Sequence, residues 1–328
     1  MDHAEDDLDD FFDGDIFIYR GGQAPQHITH ALIDRSVNEI EDNAFEDCEN
    51  LVTVDTHDGL RRVGKHAFRY CKSLRRINLK SAVEIERFAF YECRKMISVE
   101  FGDRLETIGT FAFDGCASLK HLKLPSIITI GAGAFKKCTR LIDIELSERL
   151  ESIKGGAFWD CGRLERIAVP LKRDLFEFTN IYLQAYDHFF NCNKLTTVDL
   201  IGGIDKTVPT LHMDRWRTEM IVEINRINQV LPTTDHRDKT HAIQQWIGSV
   251  IDKMDHYKAE HFRYLKEGIT LLELALWKAK LDEKEDDCTE GYAKKAKIDV
   301  ESKRNERRIA CGADIVIKNV LPFLQLDE

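Results

Sequence analysis

The chain has 328 residues, of which 43% are apolar, so it is long and apolar enough to bury a full core. Its formal net charge of −10 argues against nucleic acid as a partner, because non-specific affinity for phosphates is carried by Lys and Arg. No apolar run is long enough to span a bilayer and no secretory signal is recognisable, so we expect an intracellular protein, cytoplasmic or nuclear, with no membrane partner.

Residues 1–26 form an acidic N-terminal tail that begins MDHAEDDLDDFFDGD. We expect this tail to be disordered because it offers little apolar surface to bury. The pair Phe11 and Phe12 leaves open the alternative of an acidic docking motif. After the tail, HITHALID at 27–34 is interpreted as an incomplete repeat unit that shields the first complete one.

A phenylalanine followed three residues later by a cysteine recurs seven times, and successive phenylalanines are 23, 22, 23, 22, 23 and 31 positions apart. Three residues after each cysteine, a leucine or methionine opens an L-x-x-I-x-L pattern that ends in the alternation of a half-buried strand. An internal repeat of this period is the main evidence for the architecture. The aligned pairs are Phe45 and Cys48, Phe68 and Cys71, Phe90 and Cys93, Phe113 and Cys116, Phe135 and Cys138, Phe158 and Cys161, and Phe189 and Cys192.

A unit of 22 or 23 residues is too short to close a core, so its apolar face must be buried by neighbouring copies. Stacked copies would form ladders of like residues, with each cysteine as a small buried hydrophobe beside the phenylalanine stack. We interpret the cysteines as thiols, with disulfides between rungs or a metal site as the alternatives. The predicted inward set of one copy is Leu105, Ile108, Ala112, Phe113, Cys116, Leu119, Leu122 and Leu124.

This series of residues resembles the BspA-like leucine-rich repeat family, whose units read I-x-x-x-A-F-x-x-C-x-x-L-x-x-I-x-L. The resemblance covers about Val37 to Leu200. It implies a leucine-rich repeat solenoid, here of about seven rungs of 22–23 residues over residues 27–210. It also implies binding of other macromolecules, since members of the family include exported cell-surface proteins. With the C-terminal α-helical region described below, the expected fold class is an α+β repeat protein.

Two segments depart from the repeat. Thr56 stands where an apolar strand residue is expected. The longer spacing before Phe189 accommodates an aromatic insert at 170–188, which we expect to protrude or to dock another molecule.

The repeat ends at IGGIDKTVP, and residues 211–281 are predicted to be helical because apolar side chains recur there at helical spacing. Pro232 separates two helical segments, and Gly268 is a candidate break or bend in the second. Residues 282–328 are predicted to be a charged linker and a terminal helix. The basic runs KKAK and KRNERR in it are interpreted as a solvated helix face, with a nuclear localisation signal as the alternative.

No catalytic residue, metal ligand or cofactor is predicted. His256 and His261 have one residue too many between them for an inverted zinc-protease motif, and no third ligand is apparent. The sequence also contains no phosphate-binding glycine loop and no G-x-S-x-G motif. We therefore do not expect enzymatic activity.

The repeat predicts two candidate binding surfaces, each made of side chains that point away from the core. The sheet face has charges of both signs and no aromatic anchor, and Ala168 lies in one of its outward rows. Its candidate residues are Arg76, Asn78, Glu100, His121, Lys123, Asp143, Glu145, Arg166 and Asp199. The aromatic turn consists of Tyr70, Tyr91 and Trp159. An unused solvated surface is the alternative for each.

These patterns together indicate a non-enzymatic protein–protein interaction scaffold whose partner is an unknown protein. Two alternatives remain open. One is an enzyme or enzyme subunit with its chemistry in the helical tail, and the other is an exported adhesive surface protein.

Overall fold

The computed structural model describes residues 16–177, 187–201 and 213–287. Within these ranges the chain forms a parallel β-solenoid followed by two helices, which confirms the predicted repeat fold. The strands are β1 Phe17–Tyr19, β2 His30–Ile33, β3 Glu39–Ile40, β4 Thr53–Asp55, β5 Arg62–Val63, β6 Arg76–Leu79, β7 Glu84–Ile85, β8 Ser98–Phe101, β9 Thr107–Ile108, β10 His121–Lys123, β11 Thr129–Ile130, β12 Asp143–Glu145, β13 Ser152–Ile153, β14 Arg166–Val169 and β15 Thr197–Leu200. The helices are α1 Met213–Val230 and α2 Lys239–Asp287.

The complete rungs contribute strands to two sides of the solenoid. On one side, β1-β2-β4-β6-β8 and β10-β12-β14-β15 form two parallel sheets, and the outer surface of these sheets is the sheet face. On the other side, the two-residue strands pair in the order β13-β11-β9-β7-β5-β3. The sheet face is interrupted once, because β8 and β10 belong to separate sheets. The register keeps equivalent repeat positions side by side, as in the row Thr53, Arg76 and Ser98.

The seven phenylalanines of the repeat form one continuous stack through the core. Neighbouring rings are 4.9–5.7 Å apart between centroids and within 4–9° of parallel. Each ring is fully buried, and so are the inward residues predicted for the copy at 105–124. The stack exists because the repeat places one aromatic side chain per rung at the same position, where only the next copy can cover it.

The cysteines form a second ladder beside the phenylalanines, and all seven are buried free thiols. From the second copy onward, each thiol donates a hydrogen bond to the phenylalanine carbonyl of the preceding rung, as Cys116 Sγ does to Phe90 O at 3.3 Å. The interpretation of each cysteine as a small buried hydrophobe explains the size of its side chain but not this hydrogen bond. Cysteine therefore fills the space and also donates a second hydrogen bond to a buried carbonyl that already accepts the backbone N–H of the cysteine in its own rung.

The tight turn that holds each phenylalanine uses left-handed backbone on both sides of it. Non-glycine residues two positions before or after the core phenylalanine have φ between 56° and 63°, among them Tyr70 and Phe111. Glycine takes the equivalent position at Gly115, Gly133 and Gly156. Because side chains with a Cβ are disfavoured in this conformation, the stacked core must hold the turns in place.

The N-terminal end of the solenoid lies before the predicted start at residue 27. Residues 17–19 of the expected tail form β1, which pairs in parallel with β2, and Tyr19 is fully buried. Residues 1–15 of the tail lie outside the described residues. HITHALID contributes β2, so two strands precede β4 of the first complete rung in this sheet.

The ends of the aromatic insert continue the solenoid. Phe176 is buried, forms a parallel bridge with Ile153, and contacts the ring of Phe189 at 5.6 Å. The expectation of a protruding insert is wrong for these flanking residues, because their apolar side chains extend the core by part of a rung. Residues 178–186 of the insert lie outside the described residues.

The C-terminal edge of the solenoid is covered by α1 and the start of α2. Asn228 Oδ1 accepts a hydrogen bond from the backbone N–H of Val198 in β15 at 2.8 Å. Lys239 is buried and donates from Nζ to the carbonyl of Leu195 at 2.6 Å. These contacts give hydrogen-bond partners to backbone groups at the edge of the solenoid, which would otherwise bond to water.

The chain divides into two compact units, Met1–Met254 and Asp255–Glu328. In the second unit, the described residues continue α2. The helix runs through Gly268 without interruption, so the suggested break there is wrong. A single glycine in a long helix costs only about 1 kcal/mol relative to alanine, and the flanking residues favour helix. The terminal helix predicted at 313–326 lies outside the described residues.

Candidate functional site

The predicted residues of the sheet face lie on the outer side of the strands. Alternation along each strand places the neighbouring apolar residue inward and the candidate residue outward. Arg76, Asn78, Glu100, His121 and Lys123 are exposed. The remaining candidates on the face are half-buried, and they are Asp143, Glu145, Arg166 and Asp199.

Ala168 is the exception to this pattern, since it lies in an outward row but is only 3% exposed. Its register neighbours are Glu145 and Asp199, whose longer side chains rise on both sides of its methyl group. The expectation that Ala168 belongs to the exposed face is therefore wrong.

Polar and charged side chains on the sheet face pair between neighbouring rungs. His121 Nδ1 lies 2.6 Å from Asp143 Oδ2, and Lys123 Nζ lies 3.4 Å from Glu145 Oε2. A third pair, Arg166 to Asp199, joins β14 and β15 at 2.6 Å. Such exposed pairs contribute about 0–1 kcal/mol each to stability, so their main effect is to hold the side chains in a defined pattern.

The aromatic turn is two clusters rather than one surface. Tyr70 and Tyr91 are in edge contact, with ring centroids 5.6 Å apart. Trp159 lies three rungs away from Tyr91 and contacts Phe190 at 5.1 Å, with Lys136 Nζ 4.7 Å above its ring. The turn therefore brings together two of the three predicted residues and leaves the third in a separate cluster.

Two half-buried phenylalanines join the tyrosine cluster and were not identified from the sequence. Phe88 and Phe111 stack on each other at 5.2 Å, and Phe88 contacts Tyr91 at 5.5 Å. Both have positive φ. The recurrence of F-A-F at 88–90 and 111–113 was the available signal, because the first phenylalanine of each triplet occupies the same turn position.

A buried carboxyl group lies in the repeat position of Tyr91 and Trp159. Asp114 is only 6% exposed, and its Oδ1 atom has no hydrogen-bond partner among the described residues. Burial raises the pKa of this carboxyl to about 6, although nearby Lys136 and Lys137 oppose the shift. The charged form is therefore destabilised relative to the unfolded chain.

We expect Asp114→Asn to change the pH dependence of stability. Because the native pKa is raised, the contribution of Asp114 is fully present below the unfolded pKa and is lost as pH rises through about 6. The variant lacks this loss, so its stability relative to wild type should increase by about 1–2 kcal/mol between pH ~4 and pH ~7. Urea denaturation across this range measures the effect. Asp103→Asn, at an exposed position, is the control, and parallel curves for Asp114→Asn and wild type would contradict the expectation.

A shallow cleft of about 290 Å³ opens beside the interruption between β8 and β10, and we call it the basic cleft. The residues that line it come just before the strands of four successive rungs in the chain, and they were not singled out from the sequence. The available signal was a spacing of 45 positions, two rungs, between like-charged residues of the same row. The lining residues are Arg75, Lys95, Ile97, Ser118, Lys120 and Arg140.

The described part of the chain shows neither of two other kinds of site. It contains no group of three or more His, Cys, Asp or Glu side chains placed to hold a metal ion. Nor does any helix there combine the length and the apolarity needed to cross a membrane.

Known proteins resemble this chain through its repeats. The profile of the BspA type leucine-rich repeat region matches residues 24–85 and 80–196, in six copies. No curated protein matches the chain. Among solved structures, a leucine-rich repeat protein of T. pallidum is 28% identical, with a TM-score of 0.44 over 56% of this chain and 78% of that one. A leucine-rich repeat protein from Bacteroides ovatus ATCC 8483 is 20% identical, with a TM-score of 0.35 over 60% of this chain and 65% of that one.

Proposed function

The chain belongs to the BspA-type leucine-rich repeat family, and from this premise we propose that it is a non-enzymatic scaffold that binds a protein partner through its sheet face. The observation that carries the proposal is the in-register arrangement of outward side chains on β10, β12, β14 and β15. One row contains His121, Asp143 and Arg166, and the other contains Lys123, Glu145 and, beyond buried Ala168, Asp199. A row of this kind repeats at about 4.8 Å and offers a partner a regular polar surface.

The pairing of these charges supports a particular mode of binding. Lys123 and Arg166 already have carboxylate neighbours, so a partner gains by matching the pattern of charges rather than by neutralising a single unpaired group. The sheet face lacks the aromatic anchors that dominate tight interfaces. We therefore expect moderate affinity that weakens with salt, because exposed charges are screened.

The enzyme alternative places its chemistry in the helical tail, and the basic cleft on the solenoid offers no catalytic groups of its own. Its lining consists of cations, one serine and one isoleucine, with neither a carboxylate nor an imidazole to act as a base. The cleft is also shallow, whereas catalysis needs convergent groups in a site that excludes water.

We expect the triple variant Arg76→Glu, Lys123→Glu and Arg166→Glu to lose at least about tenfold in partner capture, since reversed charges repel the groups that the face attracts. Tagged full-length chains would be incubated with lysate of the source cell, and the captured proteins quantified by mass spectrometry. The matched control is Arg61→Glu, Arg104→Glu and Lys137→Glu, which changes the net charge equally at exposed positions elsewhere on the solenoid. Denaturation curves for both variants confirm that folding is retained.

A second comparison assigns binding to the solenoid or to α2. The substitutions Leu271→Asp, Leu274→Asp and Trp277→Asp change large apolar side chains that are exposed on that helix. Capture should survive them if the sheet face binds the partner. Loss of capture here, with undiminished capture by the sheet-face variant, would place the function in the helical region.

We also propose that the protein works inside the cell, as expected from its sequence. Seven buried free thiols support this location, because disulfides are characteristic of exported proteins with closely placed cysteines. Labelling of intact source cells with a membrane-impermeant reagent should leave the protein unmodified. Efficient labelling would instead favour the exported adhesive alternative.

A further inference from the structure

The basic cleft has positive charges that the sheet face does not use. Arg75, Lys95, Lys120 and Arg140 surround it, and all four side chains are exposed. None of them pairs with a carboxylate among the residues that the structure describes. Four like charges around one cleft repel each other, so an anionic occupant would be favoured there.

Neighbouring cations on the same side of the solenoid do find partners. Lys72 Nζ lies 2.6 Å from Glu49, and Arg94 Nε lies 2.5 Å from Glu92. This side of the solenoid therefore does not lack carboxylates, and the cleft is distinguished by four unpaired cations that surround one opening.

We propose that the basic cleft binds the acidic N-terminal segment of the same chain, residues 1–15. This segment contains eight Asp or Glu residues and no Lys or Arg. The occupant is thus a carboxylate-rich peptide, and its charge is opposite to that of the cleft. The proposal is independent of the sheet face as a partner surface.

The segment leaves the solenoid at the end of the strands where the cleft opens. Phe17 pairs in register with Ala31, and the same row continues through Val54 and Ile77 to Val99. Ile16 is therefore level with Arg76 and Ser98, one position away from the row that contains Arg75 and Ile97.

The length of the segment fits the distance that it must cover. With strands about 4.8 Å apart, three steps from β1 to β6 cover about 14 Å and four steps to β8 about 19 Å. An extended chain covers about 3.3 Å per residue, so Asp10 and Asp9, six and seven residues before Ile16, can reach about 20–23 Å. The densest carboxylates thus reach the rungs of the cleft.

The spacing of the carboxylates in the segment matches the spacing of the cations in the cleft. Lys95 and Arg140 occupy one row two rungs apart, which corresponds to about 10 Å. Carboxylates three residues apart, such as Asp6 and Asp9, are separated by about the same distance and share one face when the extended peptide has three residues per turn, as in polyproline II. Exposed Ile97 between the cations offers an apolar contact for the leucine or phenylalanines of the segment.

The test uses full-length chains and a fluorescent synthetic peptide with the sequence of residues 1–15. One variant, with Asp6, Asp7, Asp9 and Asp10 all changed to Asn, keeps the length of the segment but removes half of its carboxylates. We expect this variant to bind the peptide at least about tenfold more tightly than wild type, because the wild-type segment competes from within the chain at high effective concentration. Fluorescence anisotropy at low salt measures both affinities.

Two pairs of substitutions locate the binding, each made in the variant with Asn at positions 6, 7, 9 and 10, which we call the neutralised variant. Lys95→Gln with Lys120→Gln should reduce peptide affinity at least about tenfold, whereas Arg104→Gln with Lys137→Gln, which removes two exposed cations elsewhere, should leave it unchanged. Equal affinity of the wild-type and neutralised chains for the peptide would overturn the proposal, because the native segment would then not occupy the cleft. Failure of the peptide to bind either chain would overturn it as well.

Carbodiimide coupling in the wild-type chain distinguishes the same chain from a second copy. Cross-links between Lys95 or Lys120 and Asp6–Asp10 should form within one molecule and disappear at high salt. In a mixture of isotope-labelled and unlabelled chains, cross-links that join the two isotopic forms would overturn the proposal in favour of a second copy as the occupant.

Discussion

Phe113→Ala should destabilise the protein by about 3–5 kcal/mol, as for other fully buried aromatic side chains. Phe113 lies at the centre of the stack, 4.9 Å from Phe90 and 5.4 Å from Phe135. The neighbouring rings belong to rungs whose backbones are hydrogen-bonded to each other, so they cannot collapse into the vacated space. Urea denaturation followed by far-UV circular dichroism measures the loss.

Phe111→Ala is the matched control because Phe111 lies in the same turn, two residues before Phe113, and the change also removes a phenyl ring. Phe111 is half-buried and stacks on Phe88 at the surface. Its removal should cost about 1 kcal/mol, since less apolar area is returned to water. A loss below about 1 kcal/mol for Phe113→Ala would contradict a core made of stacked phenylalanines.

The ladder cysteines should react with a thiol reagent at least about 100-fold more slowly in the native protein than in denaturant. Their side chains are fully buried, and burial raises the pKa of the Cys93, Cys116 and Cys138 thiols. Reaction therefore requires both opening of the solenoid and formation of a thiolate. Mass spectrometry after timed native labelling measures the rate for each cysteine.

Cys288 provides the internal comparison. It lies in a charged stretch of the sequence, outside the described residues, and it is predicted to label first. Rapid native modification of Cys93, Cys116 and Cys138 would contradict the buried ladder. Loss of free thiols after mild oxidation without unfolding would instead support disulfides between rungs.

The repeat made the core predictable from the sequence to the level of single residues. Because the spacing between copies varies by only one residue over six rungs, the position of Phe113 in one copy determines its neighbours in the next. The outward rows follow from the two-residue alternation of the strands. The pair His121 and Asp143 follows from the same alignment, since equivalent positions of neighbouring copies lie side by side.

Features that depend on several rungs together were not predictable from the repeat. The interruption between β8 and β10 has no counterpart in the local pattern, and the basic cleft lies beside it. β1 was missed because its three residues follow a strongly acidic run that dominates the local composition. Lys239 was not singled out from the sequence, because its burial depends on the edge carbonyl of Leu195, far away in sequence.

Site-specific photo-cross-linking tests the binding surface most directly. A photoreactive residue would replace exposed Ser98 on the sheet face in one full-length chain and exposed Leu274 on α2 in another. Both chains would be irradiated with lysate of the source cell, and the cross-linked proteins identified by mass spectrometry. If the sheet face binds the partner, one protein should cross-link reproducibly at position 98 and not at position 274. Cross-linking of that protein at position 274 alone would contradict the proposed binding surface.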